Sequence, residues 1–152
     1  MKLEGPRSMV FGYHNIVIHT LFVSLAWIKI YQKMPTAREF ICILLHDVGY
    51  ILQDEVDSVN DKHPLLGASI CGKLFGHRYY DLCIGHSRAF AAKRNIELSK
   101  LCYADKYCIL IMPIRLQYVL SKFDNGINVY KLREEYLKWW KGNGHGVKSW
   151  TD

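Results

Sequence analysis

The sequence lacks the patterns that identify several common classes of protein. It has no internal repeat, no low-complexity segment and almost no strand-like alternation of polar and apolar residues, which excludes repeat proteins and argues against a β fold. Its five cysteines are an odd number and no two form a Cys-x-x-Cys pair, so neither a disulfide framework nor a zinc knuckle is predicted. We expect the cysteines to be small core residues in a reducing cytoplasm.

A secretory leader and a membrane span are missing as well. The opening segment MKLEGPRSM carries charge, glycine and proline where a secretory signal needs an unbroken apolar core. The longest apolar stretch, residues 16–30, contains His19 and is too short to cross a bilayer. These features predict a cytoplasmic protein without a membrane partner.

The chain does have enough apolar material for one core. Half of its 152 residues are hydrophobic and 22% are charged, which predicts a single domain over residues 1–152. The formal net charge of +6 at pH 7 favours anionic partners. Phosphorylated small molecules and nucleic acid both fit that charge, and net charge alone does not choose between them.

Apolar spacing is helical along almost the whole chain, so the predicted fold class is all-α. Caps and helix breakers give the boundaries, for example Thr36 with Glu39 three residues later, and Pro64 at a first helical position. The predicted helices cover residues 15–33, 36–49, a segment that opens at 63–64, a short segment around 79–86, 99–112 and 129–141.

Side chains that bind metals lie on or beside the apolar faces of these helices. They are His19, Asp47, His63, His86 and Asp105. A buried carboxylate without a partner costs several kcal/mol, whereas the whole stability of a domain is about 5 to 15 kcal/mol. For any one aspartate there are simpler explanations. A histidine could hydrogen-bond to it, Arg88 or Arg115 could form an ion pair with it, or its helix face could be less buried than the periodicity predicts. The coincidence of five such positions favours a bound cation instead.

The ligand types indicate which cation would bind. Imidazole and carboxylate together suit a divalent transition-type ion, namely Mn, Fe, Co or Zn, better than calcium, which prefers oxygen ligands. Adjacent residues on a helix diverge by about 100 degrees, so His46 and Asp47 can both reach an ion between their directions. With His19 and Asp105 from neighbouring helices, the sequence predicts a four-ligand centre.

Five short motifs surround these residues. They are HTLFVSLA at His19, LLHDVG at His46 and Asp47, HPLLGA at His63, IGHS at His86 and LCYADK at Asp105. In this order they resemble the HD-domain superfamily of metal-dependent phosphohydrolases, and the arrangement of the last three is most similar to the diadenosine tetraphosphate hydrolase branch. The motifs cover about residues 15–112, and a C-terminal helix and tail follow at 129–152. Tyr50 is a departure, because many family members have lysine there.

The resemblance implies a compact helical HD-like domain that holds one or two metal ions. The first ion would be bound by His19, His46, Asp47 and Asp105, and the second by His63 and His86 with Asp47 bridging. It also implies catalytic roles for His46 and Asp47, because the family cleaves phosphoester or phosphoanhydride bonds with metal-activated water. We expect the substrate to be a nucleotide.

Three cations beside these positions are candidates for binding substrate phosphates. They are Arg88, Lys106 and Lys62, and simple solvent exposure is an equally good interpretation of such residues.

The remaining histidines have lesser roles in this interpretation. His14 is a minor alternative to His19 as the ligand from the first helix. His77 and His145 are expected on the surface.

Two rival functions follow from the same sequence. A catalytically silent HD-like module would use the metal site to bind or sense a nucleotide, although such a module has no physical need to keep every ligand. A basic nucleic-acid-binding protein would use the positive charge and the aromatic tail KWWKGNGHGVKSW, which could stack on bases. For the tail, packing of the tryptophans on the body of the protein is the preferred interpretation.

Overall fold

The computed structural model describes residues 4–53, 62–124 and 127–144. Within these ranges the chain forms nine α-helices, one 3-10 helix and no strand, so the predicted all-α class is confirmed. The α-helices are α1 (Glu4–Phe11), α2 (Ile16–Tyr31), α3 (Ala37–Leu45), α4 (Pro64–Phe75), α5 (His77–Ile84), α6 (Arg88–Arg94), α7 (Lys100–Ile111), α8 (Ile114–Ser121) and α9 (Val129–Asn143). The 3-10 helix is Val48–Leu52.

The predicted caps form where the sequence indicated them. The side chain of Asn15 accepts hydrogen bonds from the backbone at the start of α2. Thr36 and Glu39 form a reciprocal capping box at the start of α3, and Pro64 occupies the first turn of α4. The apolar stripe of α7 is buried as predicted, with Asp105 inside it.

The second predicted helix is too long by four residues. It ends at Leu45 instead of residue 49, because the backbone at Asp47 (φ −97°, ψ 0°) leaves the α-helical region and the chain continues as the 3-10 helix. The helical spacing of Phe40, Ile43 and Asp47 predicts one shared inward face, but Phe40 is 45% exposed. His86 also differs from the prediction, since α5 ends at Ile84 and His86 follows it in a turn.

Buried apolar residues form two clusters. The larger one is centred on α2 and α7 and includes Val23, Trp27 and Leu101, with the aromatic face of α9 packed against it. The smaller one joins α3, α4 and α5 with Phe90 of α6. All five cysteines are free and buried in these clusters or beside them, in agreement with the prediction.

No single helix in the described ranges is both long and apolar enough to cross a membrane. Helices α1 and α2 meet that criterion only as a pair, across a bend of 65°. The single-domain boundary of 1–152 stays a prediction, and residues 145–152, which include His145, lie outside the described part.

Candidate metal centre

Six side chains from separate parts of the chain converge at one place. They are His19 on α2, His46 and Asp47 directly after α3, His63 directly before α4, His86 two residues after α5, and Asp105 on α7. None of the six is more than 7% exposed. Distant positions that the sequence predicted to be ligands therefore lie together in the interior.

The first group of ligand atoms comes from His19, His46, Asp47 and Asp105. Nε2 of His19 lies 3.0 Å from Oδ1 of Asp105 and 3.3 Å from Oδ2 of Asp47. Nε2 of His46 lies 3.3 Å from the same Oδ2 and 3.3 Å from Nε2 of His19. All four atoms are within 4.8 Å of one another, so this group could hold a metal ion.

The second group uses the other oxygen of Asp47. Oδ1 lies 3.2 Å from Nε2 of His86 and 3.5 Å from Nε2 of His63. The two imidazole nitrogens are 2.9 Å apart. Asp47 thus presents one oxygen to each group, which is the arrangement expected of a carboxylate that bridges two ions.

Backbone carbonyls fix the orientation of two imidazoles. Nδ1 of His46 donates to the carbonyl of Ile43 at 2.6 Å, and Nδ1 of His86 donates to the carbonyl of Cys83 at 2.6 Å. A neutral imidazole that carries its proton on Nδ1 has a lone pair on Nε2. Both Nε2 atoms therefore point into the centre, where each would offer its lone pair to a metal ion in the neutral ring, as in histidine ligands whose other nitrogen is held by a carbonyl.

The electrostatics of the centre favour a cation. Burial would raise the pKa of Asp47, but the neighbouring histidines, His46 foremost, hold it well below the usual range. Burial opposes ionisation of Asp105 in the same way, and Lys106 and the histidines keep its pKa low. Burial lowers the pKa of His46, yet the two carboxylates outweigh that effect and raise it to about 9. Burial lowers the pKa of His86 to about 4. Two ionised carboxylates thus lie among imidazoles in a nearly dry interior.

Two glycines bring the second group to the first. A Cβ at Gly49 would overlap the backbone carbonyl of His63, and a Cβ at Gly67 would overlap that of Leu45. The absence of side chains lets the start of α4 pack directly against the turn that carries His46 and Asp47. These glycines belong to the LLHDVG and HPLLGA segments, so both segments contain a ligand and the residue that permits its approach.

Tyr50 packs against one of the candidate ligands, a contact that the sequence did not predict. Its ring is stacked on His63, with centroids 4.1 Å apart and planes at 14°. The ring of His14 also packs against Tyr50, with centroids 4.4 Å apart, and Nδ1 of His14 is 2.9 Å from Oγ of Ser8. His14 therefore lies beside the centre and supports Tyr50, while His19 has the place predicted for the ligand. The feature of the sequence that could have indicated this stacking is the aromatic residue directly after the HD-x-G segment.

The predicted phosphate-binding cations have different surroundings. Nζ of Lys106 lies 2.5 Å from Oδ2 of Asp105 and the side chain is 17% exposed, so this lysine already neutralises one carboxylate. The guanidinium of Arg88 lies over the rings of Tyr136 and Trp139, at 4.9 and 5.1 Å from their centroids. Lys62 is exposed.

The remaining predicted positions lie away from the centre. The side chain of His77 is 81% exposed, as expected for a surface residue, and Nδ1 is 3.2 Å from Oδ1 of Asp81. Trp139 and Trp140 pack against Tyr103, and Trp140 also packs against Tyr107. Packing on the body of the protein, the preferred interpretation for the tail, is thus what these two tryptophans do.

Comparisons of the chain with protein-family models, with curated proteins and with solved structures give no match. The buried histidines and aspartates are consistent with an HD domain and could hold a metal ion. The case for a function therefore depends on the geometry of these residues and on the motifs that contain them.

Proposed function

We propose that the protein is an HD-type metal-dependent phosphohydrolase that cleaves a phosphoester or phosphoanhydride bond of a nucleotide. The observation that supports this most strongly is the placement of Asp47, whose two oxygens face two different sets of imidazole nitrogens. A buried carboxylate can be satisfied by any hydrogen-bond donors, whereas a carboxylate that bridges two ions needs a separate set of ligand atoms beside each of its oxygens, as Asp47 has.

The donor set fits a divalent transition-type ion. Four imidazole nitrogens and two carboxylates are borderline ligands suited to Mn, Fe, Co or Zn, while Mg and Ca prefer oxygen. His19, His46, Asp47 and Asp105 would hold one ion. Asp47, His63 and His86 would hold the other.

Bound ions would supply Lewis-acid polarisation of a phosphoryl oxygen and would lower the pKa of the attacking water. Asp47 would orient that water between the two groups and accept a hydrogen bond from it. The carbonyls of Ile43 and Cys83 keep the Nε2 atoms of His46 and His86 directed inward, so the site needs little reorganisation. Lys106 stabilises the ionised form of Asp105.

A phosphorylated substrate agrees with the charge of the chain and with two of its cations. The net charge of +6 favours an anion, and Lys62 is exposed directly before His63. Arg88 follows His86 by two residues and offers a planar fork for phosphate oxygens. Its guanidinium now lies over the rings of Tyr136 and Trp139, and these rings would accept a nucleobase once the guanidinium moved to a phosphate.

The proposal is tested by stripping the protein with a chelator, reconstituting it separately with Mn, Fe, Co and Zn, and assaying a panel of nucleotides. Wild type is expected to release product with at least one metal, and Asp47→Ala is expected to lose turnover. Asp81→Ala is the matched control, because Asp81 is an aspartate on an exposed surface. Full activity of Asp47→Ala would contradict the proposed chemistry.

Binding measurements on the same metal-free and reconstituted samples separate the two rival functions. Tight nucleotide binding without product, in every metal form, would favour the silent sensing module. Nucleic-acid binding that weakens steeply with salt and survives chelation would favour the basic nucleic-acid-binding protein.

A further inference from the structure

A second cluster of potential ligands lies apart from the histidine and aspartate centre. Cys42 on α3, Cys71 on α4 and Cys83 on α5 bring their sulfur atoms within 4.8 Å of one another. All three side chains are completely buried. They are separated along the chain by 28 and 11 residues, so three different helices must pack together to assemble them.

The spacing of the sulfurs suits three-coordinate binding. With a metal–sulfur distance of about 2.3 Å, an ion at the centre of three thiolates requires sulfurs roughly 4.0 Å apart. Separations of no more than 4.8 Å need only a small contraction to reach that value. Sγ of Cys83 is 4.0 Å from the carbonyl of Cys42, a weak contact that leaves the sulfur available.

The chemistry of the cluster selects a soft ion. Thiolates favour Cu(I), Zn and iron–sulfur clusters over hard cations. Closed zinc sites take four ligands, whereas this cluster offers three in an apolar surrounding formed by residues such as Ala68 and Phe90. Hydrogen bonds with Cys42 and Cys83 lower the pKa of Cys71, which favours a thiolate within the cluster.

We propose that Cys42, Cys71 and Cys83 form a buried three-sulfur site that binds one Cu(I) ion. Each cysteine that binds releases its proton to solvent, and no electron is transferred. Because the sulfurs are inaccessible in the folded chain, the ion enters while the chain folds or opens locally.

Short stretches of backbone link the three-sulfur site to the histidine centre. Cys42 precedes His46 by about one helical turn, and the carbonyl of Cys83 accepts the hydrogen bond that orients His86. Bound Cu(I) would therefore hold together the two backbone segments that carry one ligand of each group.

The first test equilibrates the reduced, metal-free protein anaerobically with Cu(I) and a competing chromogenic Cu(I) chelator until the chelator signal is constant, which gives time for the local opening that admits the ion. Wild type is expected to retain one tightly bound Cu(I) per chain. Cys71→Ala should bind more than about 100-fold more weakly, since even loss of a partner behind a metal ligand weakens binding roughly 10- to 100-fold. Cys102→Ala is the matched control, because Cys102 is equally buried and lies outside the cluster. Equal binding by Cys71→Ala and wild type, or no tight binding by wild type, would overturn the site.

A second measurement does not depend on the folding of any variant. X-ray absorption at the copper edge of the wild-type complex should show three sulfur neighbours and no nitrogen. Nitrogen or oxygen neighbours would mean that copper occupies the histidine centre, and they would overturn the assignment to the cysteines.

Discussion

The two groups that share Asp47 differ in charge and in how the fold supports them. The first group has two carboxylates, and its ligands His19, in the first turn of α2, and Asp105, in the middle of α7, lie inside helices that form the larger apolar cluster. The second has only the shared carboxylate, and its ligands His63 and His86 lie just outside helix ends. A cation is therefore attracted more strongly to the first group, and its ligands are held more rigidly.

This difference indicates an order of binding. Lys106 partly offsets the charge of Asp105, but the first group still combines two ionised carboxylates with two imidazoles. The second group depends on close backbone approach at Gly49 and on the stacked ring of Tyr50. We expect the first site to fill at lower metal concentration than the second.

The largest effect is expected from Asp47→Ala, which removes the carboxylate common to both groups. Both ions should be lost, and with them several kcal/mol of transition-state stabilisation, or about 1,000-fold in rate. Metal analysis after gel filtration measures the first effect and initial-rate assays measure the second. Asp81→Ala should keep its metal and its activity, and retention of two ions by Asp47→Ala would show that this carboxylate bridges nothing.

The next test separates the groups by comparing Asp105→Ala with His86→Ala. Asp105→Ala should abolish tight binding at the first site, because one of its two carboxylates is gone. His86→Ala should leave one tightly bound ion and weaken only the second, by about 100-fold or more. Isothermal titration with Mn gives both stoichiometries, and identical losses in the two variants would remove the distinction between strong and weak sites.

In the metal-free protein, the free energy of unfolding should depend on pH through His46 on the alkaline side and through His86 on the acid side. Burial lowers the pKa of His46, but the carboxylates raise it from 6.5 to about 9, so its stabilising contribution is present below pH 6.5 and is lost as the pH rises to 9. Burial lowers the pKa of His86 from 6.5 to about 4, so the free energy of unfolding falls as the pH falls from 6.5 to 4.

Urea unfolding of chelator-treated variants across this range measures both effects. His46→Gln should flatten the alkaline decline of stability, and His86→Gln should flatten the acid decline. If His46→Gln flattened the acid decline and His86→Gln the alkaline decline, the result would contradict the charge difference between the two groups.

The smallest effect is expected at Tyr50. Tyr50→Leu removes the ring stacked on His63 while keeping an apolar side chain, so binding of the second ion should weaken by roughly 10-fold and the first should be unaffected. Tyr50→Phe, which keeps the ring, is the matched control. Equal weakening of both ions in Tyr50→Leu would show a general loss of packing instead.

The sequence predicted the buried positions of the candidate ligands more successfully than it predicted the contacts that support them. His19 and Asp105 interrupt long apolar stripes, and such an interruption is visible in sequence because helical periodicity places the residue on a buried face. The stack of Tyr50 on His63 and the ion pair of Lys106 with Asp105 depend on side-chain orientation after the helices pack, which spacing does not specify.

The errors in the fold have a similar cause. Helices α1, α6 and α8 have only seven or eight residues, too few for a repeated apolar stripe, and they were not predicted. The spacing of His86 from Cys83 and Leu82 predicts a helical position, yet α5 ends at Ile84 with Gly85 as its C-cap residue, and His86 follows in a turn. The cluster of Cys42, Cys71 and Cys83 is not predicted for another reason, since it forms only when α3, α4 and α5 pack together and no sequence motif connects the three cysteines.

The central claim is that buried imidazoles and carboxylates hold metal ions, and anomalous diffraction from crystals of the manganese-loaded protein tests it most directly. We predict a strong peak enclosed by His19, His46, Asp47 and Asp105, and a weaker peak beside Asp47, His63 and His86. Well-ordered crystals of the loaded protein without a peak at either place would contradict the account.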